Sequence, residues 1–444
     1  MRNPTTTALA SLWRAFSVHP PYGDAPVSVA PISGCGNGMV ATADIACGQA
    51  LLSIPLAAGL SVPRGSSDGR ALAAALQKAV SAPGPWQDYR SLLMPERPVP
   101  AAMFWSDDQL EELQHGDAIE LALSMRRRHV DRTGGYGSRQ SGAHDRWALS
   151  MVHSRSFHVD DGGRGIRALL PFADLFNHLP ESPAEYRAAA EALGEDEPPS
   201  PWQLETDDER GAVVVLRAAQ AVRRGEEVLL PYGAETNAEL LTTHGFSLDA
   251  AGANSAQHLP LFDSFEELLT TLAPDLPAAQ AQVRRQLWSS LDASEAPLSA
   301  RPGPGLGASS HVLGAAQLAL AAEGEDGDDD VSAAFEEGYH DEAGHYVLRP
   351  APSADAQLER SARLALAAAA REKLDAMLQR SSLEDDEQRL QQLQLQLQQK
   401  EDDDVDAQAT ERARLAVSHR LGVKRLLQTF ASTCESLDGL RAQI

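Results

Sequence analysis

Three short stretches place polar residues and glycines at the ends of apolar, strand-like runs, and chemistry would concentrate there. The first is Gly34-Cys35-Gly36-Asn37-Gly38. Glycines at alternate positions let a backbone pass close to a ligand or take positive φ. By type alone the stretch reads equally as a tight turn, and it lacks the following helix and distant acid of a dinucleotide fingerprint. The second, Leu170 to His178, is an apolar run that ends on donors and acceptors: Asp174, Asn177 and His178. Such residues cap or fill cores more often than they bind ligands. The third is Glu226 to Gly233, with Tyr232 after an apolar run, followed by Asn237 to Leu241 and His244-Gly245-Phe246. A tyrosine there can aim its hydroxyl into a cavity, although an amphipathic core tyrosine is the commoner outcome.

Composition narrows the class of protein. The chain has 444 residues, long enough for two domains, and a formal net charge of -25. That charge argues against a nucleic-acid partner, which needs a basic face. It suits a basic, lysine-bearing protein surface and equally suits solubility. The acidic runs Glu323 to Asp330 and Glu401 to Asp404 read as solvated segments. No stretch approaches the roughly 20 apolar residues of a membrane span. Cys35, Cys47 and Cys434 are too few and too scattered for a disulfide framework or a zinc cluster, so no metal is expected and a reducing compartment is the default.

The elements that must position these stretches follow from periodicity. Val27 to Ala30, Met39 to Ala41, Leu51 to Ile54, Val213 to Leu216 and Val228 to Leu230 read as short strands punctuated by Gly and Pro. Arg70 to Val80 and Asp107 to Arg128 favour helices. Residues 131–143 and 180–201 read as loops. Beyond residue 255 the pattern is helical, with Leu366, Ala370, Leu374 and Leu378 at every fourth position and Val423, Leu426, Leu427 and Phe430 on one face. Gln388 to Lys400 fits helix or alternating strand, and glutamine propensity decides for helix. Residues 1–25 lack acids before Asp24 and contain Arg2, Arg14 and a threonine run, which fits either an organelle transit segment or a helix near Leu9 to Phe16.

In order and spacing the motifs resemble the SET-domain protein methyltransferases, in the branch of the plant RuBisCO large-subunit lysine methyltransferase. The resemblance runs from Gly36-Asn37-Gly38-Met39-Val40-Ala41 and Ile54-Pro55 through Trp86-x-x-Tyr89, Leu93-Met94-Pro95, Phe104-Trp105-Ser106-Asp107 and Leu110 to Leu113. It continues through Ser154-Arg155-Ser156-Phe157, the Asn-His and Tyr-Gly segments, Ser382 to Glu387 and Arg420 to Arg425. It implies an α+β fold. An irregular β-rich SET domain would span 26–250, with a helical insertion at 70–150, followed by an all-helical substrate-binding domain at 255–444.

The resemblance also implies S-adenosyl-L-methionine as methyl donor and the ε-amine of a lysine on a non-histone protein as acceptor. The backbone around Cys35, Gly36, Asn37 and Gly38 would hold the amino-acid part of the cofactor, and Arg155 its carboxylate. Asp174, Asn177 and His178 would line the pocket, with His244 and Phe246 flanking the adenosine and the channel entrance. Tyr232 takes the catalytic position. His244 departs from the pattern, since most lysine-specific relatives carry Tyr there and a histidine-methylating relative carries a smaller polar residue. Val423 replaces a common Glu. Two other readings stand beside the leading one: a protein-histidine methyltransferase on the same fold, and a catalytically silent scaffold. Neither nucleic acid nor membrane is an expected partner, and a monomer is the default. The RuBisCO large subunit or an aldolase in the chloroplast is the substrate the branch suggests, with cytoplasm or nucleus as alternative locations.

Overall fold

A computed structural model describes residues 6–18, 26–33, 35–65, 68–129, 143–161, 164–179, 201–232, 236–248, 259–290, 298–300, 310–321, 335–340, 346–350, 356–399 and 405–436. The loops expected at 131–143 and 180–201 and the two acidic runs fall almost wholly outside these residues, as do Gly34 and Gly233. The chain divides into two compact units, one of Met1–Ser106 with Asp117–Phe246 and one of Asp107–Gly116 with Ser247–Ile444.

The first unit is built on small antiparallel sheets. Strand β1 (Val27–Ile32) pairs with β2 (Gly36–Ala41). Strand β3 (Ala50–Pro55) pairs with β8 (Gly211–Arg217), which also pairs with β7 (Trp202–Asp207). Strand β6 (Arg164–Leu169) lies between β4 (Leu60–Pro63) and β5 (Phe157–Asp161). In β8 the run Val213 to Leu216 is buried throughout, as expected of a central strand covered on both faces. Val228 to Leu230 is a departure from expectation. It forms no regular strand, and only isolated bridges join Val40 to Glu227 and, in parallel, His178 to Leu230. Pro231 ends the run, and its missing N–H stops a ladder from continuing.

Helices of the first unit are α1 (Thr6–Ala15), α2 (Asp68–Ser81), α3 (Pro85–Leu92), α5 (Gly116–His129) and α6 (Ala143–Arg155). Helix α1 is the amino-terminal helix the pattern allowed, and it is anchored. Trp13 stacks on Phe172 at 4.3 Å, and Phe16 sits edge-on to Trp86 and Tyr89. The short α7 (Asn237–Glu239) starts at a capping box in which Thr236 and Glu239 exchange hydrogen bonds, and a π-helical turn, Leu240–His244, follows.

The second unit includes the short α4 (Asp107–Glu111) and is mainly helical, with α8 (Phe265–Leu272), α9 (Ala278–Ser290), α10 (Ser310–Leu320), α11 (Ala356–Leu378), α12 (Leu383–Gln398) and α13 (Val405–Glu435). Helix α11 buries Leu366, Ala370 and Leu374 of the stripe read from the sequence, together with Ala362 and Met377, while Leu378 is half-buried. The glutamine tract is helical in α12. An all-helical unit is not what forms, however. Two antiparallel strand pairs are present, β9 (Leu259–Phe262) with β10 (Leu298–Ala300) and β11 (Phe335–His340) with β12 (Tyr346–Pro350). These strands are three to six residues long, too short for period-2 alternation to register in a helix-rich stretch. No helix among the described residues is long and apolar enough to cross a membrane.

Candidate active site

The three stretches singled out by residue type converge in the first unit. The backbone of residues 177–179 runs alongside Leu230, with Leu230 N donating to Asn177 O at 3.0 Å and Leu179 N to Leu230 O at 2.9 Å. Val228 N donates to Met39 O at 2.7 Å, which ties the third stretch to β2. Main-chain hydrogen bonds thus bring all three together, and their side chains meet at the junction.

At its centre stands Tyr232. Its hydroxyl donates to Phe176 O at 2.8 Å, and its N–H donates to His178 Nδ1 at 3.2 Å. Three rings surround it. His178 and His244 each have their ring centroid 4.9 Å from that of Tyr232, and Phe246 lies 6.5 Å away. Desolvation pushes the Tyr232 hydroxyl well above the usual tyrosine range; the Arg155 charge opposes this, while Asp174, Cys35 and Glu227 add to it. The phenol therefore keeps its proton at any working pH. Because that proton is committed to Phe176 O, the oxygen faces other groups as an acceptor.

His244 ends the π-turn, and Gly245 follows at φ 75. A Cβ on Gly245 would stand 2.8 Å from Ala101 N, so both the left-handed backbone and the close approach require glycine here. His244 Nδ1 lies 3.1 Å from Ser154 O. A carbonyl only accepts, so Nδ1 carries the proton and the tautomer is set. A π-turn inside a helical stretch re-aims the residues after it, here bringing His244 and Phe246 to Tyr232.

Arg155, the last residue of α6, anchors through one nitrogen. Its Nη1 donates to Asp174 O at 2.7 Å and lies 3.4 Å from Asp174 Oδ2. The side chain is 20% exposed, and Nη2 makes no hydrogen bond among the described residues. A guanidinium held by one nitrogen with the other available is a ready carboxylate receptor.

Asp174 is held from behind. Tyr89 donates its hydroxyl to Asp174 Oδ1 and accepts from Phe172 N at 2.8 Å. Phe172 adopts φ 70, a left-handed conformation that a bulky residue takes only under constraint, and Trp13, Phe16 and Tyr89 pack around its ring. Burial raises the Asp174 carboxyl, against the lowering effects of Arg155 and Tyr89. Tyr89→Phe should therefore leave a buried N–H and a carboxylate oxygen unpaired. We expect it to cost about 1–3 kcal/mol of stability in a denaturant titration and to loosen Arg155.

The fourth group is Asn177, whose Nδ2 donates to Glu227 Oε1 at 2.7 Å. Gly38 makes room for this pair, because a Cβ there would lie 2.8 Å from Glu227 Oε1 and 3.1 Å from Asn177 Nδ2. Cys35 is exposed at the start of β2, its thiol raised by desolvation and then by the Glu227 charge. Gly36 takes φ 84 beside it. The Asn37 side chain turns elsewhere, donating to Leu93 O at 3.3 Å, so only its backbone can serve the site. Among the described residues no three His, Cys, Asp or Glu side chains gather as a metal site would require.

Comparison with known proteins agrees with this architecture. No family model matches the chain. Protein SET DOMAIN GROUP 40 of Arabidopsis thaliana is 30% identical over 148 residues, a match covering 29% of this chain and 28% of that protein's length. Among solved structures, the SET domain of LSMT bound to methyl-lysine and AdoHcy superimposes with a TM-score of 0.54 at 18% identity, covering 98% of this chain and 92% of the other. Rubisco LSMT bound to sinefungin and monomethyllysine gives 0.52 at 18% identity, over 98% and 92%. The chain has the SET fold.

Within the SET domain, every residue expected at the site has a described position. Tyr232, His178, His244 and Phe246 form one ring cluster, Arg155 and Asp174 form an ion pair beside it, and Asn177 meets Gly38. Sequence reasoning missed Glu227 and gave Tyr89 no role. Glu227 precedes an apolar run and looks like one more surface acid beside Glu226, and only the non-local bridge to Val40 turns it inward. Tyr89 was visible as half of Trp86-x-x-Tyr89, but nothing local says that its partner is Asp174, 85 residues away.

Proposed function

We propose that this protein transfers a methyl group from S-adenosylmethionine to the ε-amine of a lysine on another protein. The observation that carries the proposal is the Tyr232 hydroxyl, fixed on Phe176 O and ringed by His178, His244 and Phe246. Support for the donor comes from the receptors around it. Arg155 offers free donors to a carboxylate, and glycine at position 38 leaves room for the Asn177–Glu227 pair. The structural neighbours named above hold AdoHcy or sinefungin together with methylated lysine.

S-adenosylmethionine supplies an electrophilic methyl on a sulfonium, so neither metal nor general acid is needed for the displacement itself. What the chain must do is present a neutral amine in line. Free lysine has a pKa of about 10.4. Enclosure by the Tyr232, Phe246 and His244 rings penalises the ammonium and lowers that value. The Tyr232 oxygen accepts a hydrogen bond from the amine and so aims the nitrogen lone pair, a positioning effect of the kind that dominates such reactions.

Arg155→Met is expected to weaken S-adenosylhomocysteine binding by about 10- to 100-fold in calorimetry, the worth of hydrogen bonds to a charged group. Incubation with labelled donor and stromal or cytosolic extract, then mass spectrometry of the labelled protein, tests the reading directly. Label on a lysine supports it; label on histidine only, or no label with any extract, rejects it. A non-histone protein, in the chloroplast for this branch, is the target we infer. Its support is the absence of a cysteine cluster after Phe246, which histone-directed SET enzymes often use to close the lysine channel, together with the net charge of -25 facing a basic acceptor.

A further inference from the structure

We propose that Glu227 is the positioning residue for the positive end of the methyl donor, acting through Asn177, so that the site selects an amino-acid zwitterion. The inference rests on the donor assigned above and specifies how its headgroup is read.

The geometry supplies three arguments. Glu227 Oε1 lies 2.7 Å from Asn177 Nδ2. A carboxylate can only accept, so the Asn177 amide must turn its NH2 group toward Glu227 and leave its Oδ1 as an acceptor on the other side. An acceptor oxygen backed by a negative charge is the receptor an ammonium requires, and a charge-assisted bond is about twice as strong as a neutral one.

The second argument is placement. Glu227 and Arg155 both act electrostatically on the Tyr232 hydroxyl, with opposite signs. Charges of both signs, Asp174 among them, are thus within electrostatic reach of the same oxygen. Arg155 alone describes a carboxylate receptor and would accept any acid. With Glu227 added, the pair matches the carboxylate and ammonium of an α-amino acid, which S-adenosylmethionine carries at the end remote from its adenosine.

The third is space. Glu227 approaches Asn177 only because residue 38 has no side chain: a Cβ there would lie 2.5 Å from Ile32 Cγ1 as well as 2.8 Å from the carboxylate. Close packing therefore holds the Glu227–Asn177 pair in one arrangement rather than leaving it as a loose surface contact.

The test compares two ligands by calorimetry: S-adenosylhomocysteine, and its desamino analogue in which the carboxylate is kept and the amine replaced by hydrogen. Wild type should prefer the amine-bearing ligand. In Glu227→Gln the carboxamide can still accept from Asn177 but carries no charge. Its affinity for S-adenosylhomocysteine should fall by about 10-fold, the loss of charge assistance, while that for the desamino analogue should change by less than about 2-fold. Glu227→Asp, which restores the charge, should recover part of the lost affinity. Equal loss for both ligands, or loss of all binding in Glu227→Gln, would mean a merely structural role and overturns the proposal. So does unchanged affinity for S-adenosylhomocysteine. If wild type binds neither ligand, the methyl-donor reading itself fails, an outcome distinct from wild-type binding that Glu227→Gln leaves intact.

Discussion

Tyr232→Phe is expected to reduce kcat by about 100- to 1000-fold with cofactor affinity nearly unchanged, the scale seen when one preorganised polar contact to a reacting centre is removed. The phenyl ring keeps its packing against His178, His244 and Phe246, so the cluster survives. What disappears is the oxygen that aims the amine. The hydroxyl also makes a protein contact, to Phe176 O, and its loss should cost roughly 1 kcal/mol of stability. The two effects separate cleanly by measurement. Single-turnover methylation reads the first, and a denaturant titration reads the second. A variant that loses the 1 kcal/mol yet turns over near the wild-type rate would make Tyr232 a core tyrosine and remove the basis of the proposed function. Because desolvation holds the phenol above its usual range, the wild-type rate should show no fall near pH 10 from ionisation of Tyr232.

Much of this arrangement is legible in the amino-acid sequence. Periodicity located α11 and α13 and the buried run of β8, since those elements bury a face whose spacing the sequence must respect. It failed where pairing is short or non-local. Nothing in Leu259 to Phe262 or Phe335 to His340 distinguishes a strand of four to six residues from a turn of helix, and Val228 to Leu230 looks like a strand but is held by bridges alone. The site shows the same division. Residues whose motif is local, such as Asn177-His178 and Tyr232, stand out as candidates by order and spacing. Partners supplied across the fold were not. Tyr89 reaches Asp174 from helix α3, Ser154 O sets the tautomer of His244 from α6, and Glu227 reaches Asn177 through a bridge to β2. Side chains of a reacting group are visible in sequence as types, whereas those that orient them are visible only as neighbours.

Asp386→Asn is the substitution expected to destabilise most. Arg420 and Lys424 lie one turn apart on α13, and in the second unit both converge on the Asp386 carboxylate of α12, which is fully buried. Arg420 donates to Oδ1 through Nη2 at 2.7 Å and Nε at 2.9 Å, and Lys424 Nζ donates to Oδ2 at 2.7 Å. Lys424 is fully buried too and also donates to Ser381 O at 2.7 Å. Burial alone would raise the Asp386 carboxyl, but the hydrogen bonds from Arg420 and Lys424 outweigh it and hold it below the usual range. Burial in turn pulls Lys424 below the usual lysine range, against the Asp386 bond. Asparagine keeps the shape and removes the charge, leaving a buried ammonium with no counter-ion. Breaking a buried pair from one side costs about 3–5 kcal/mol, or roughly 10 °C in the melting of a unit this size. Lys424→Met should cost less, because Arg420 still supplies a counter-charge at Oδ1, and the loss is that of the ammonium's bonds to Oδ2 and to Ser381. The sign with pH follows from the depressed carboxyl. The stabilisation is complete above the unfolded-state value of about 3.9 and is lost as pH falls through the lower native one. Wild type should therefore hold its melting temperature down to about pH 4 as far as this group is concerned, whereas Asp386→Asn should be destabilised at neutral pH and converge toward wild type in strong acid. An equal melting temperature for Asp386→Asn and wild type at pH 7 would show that the cluster is no more than a solvated ion pair.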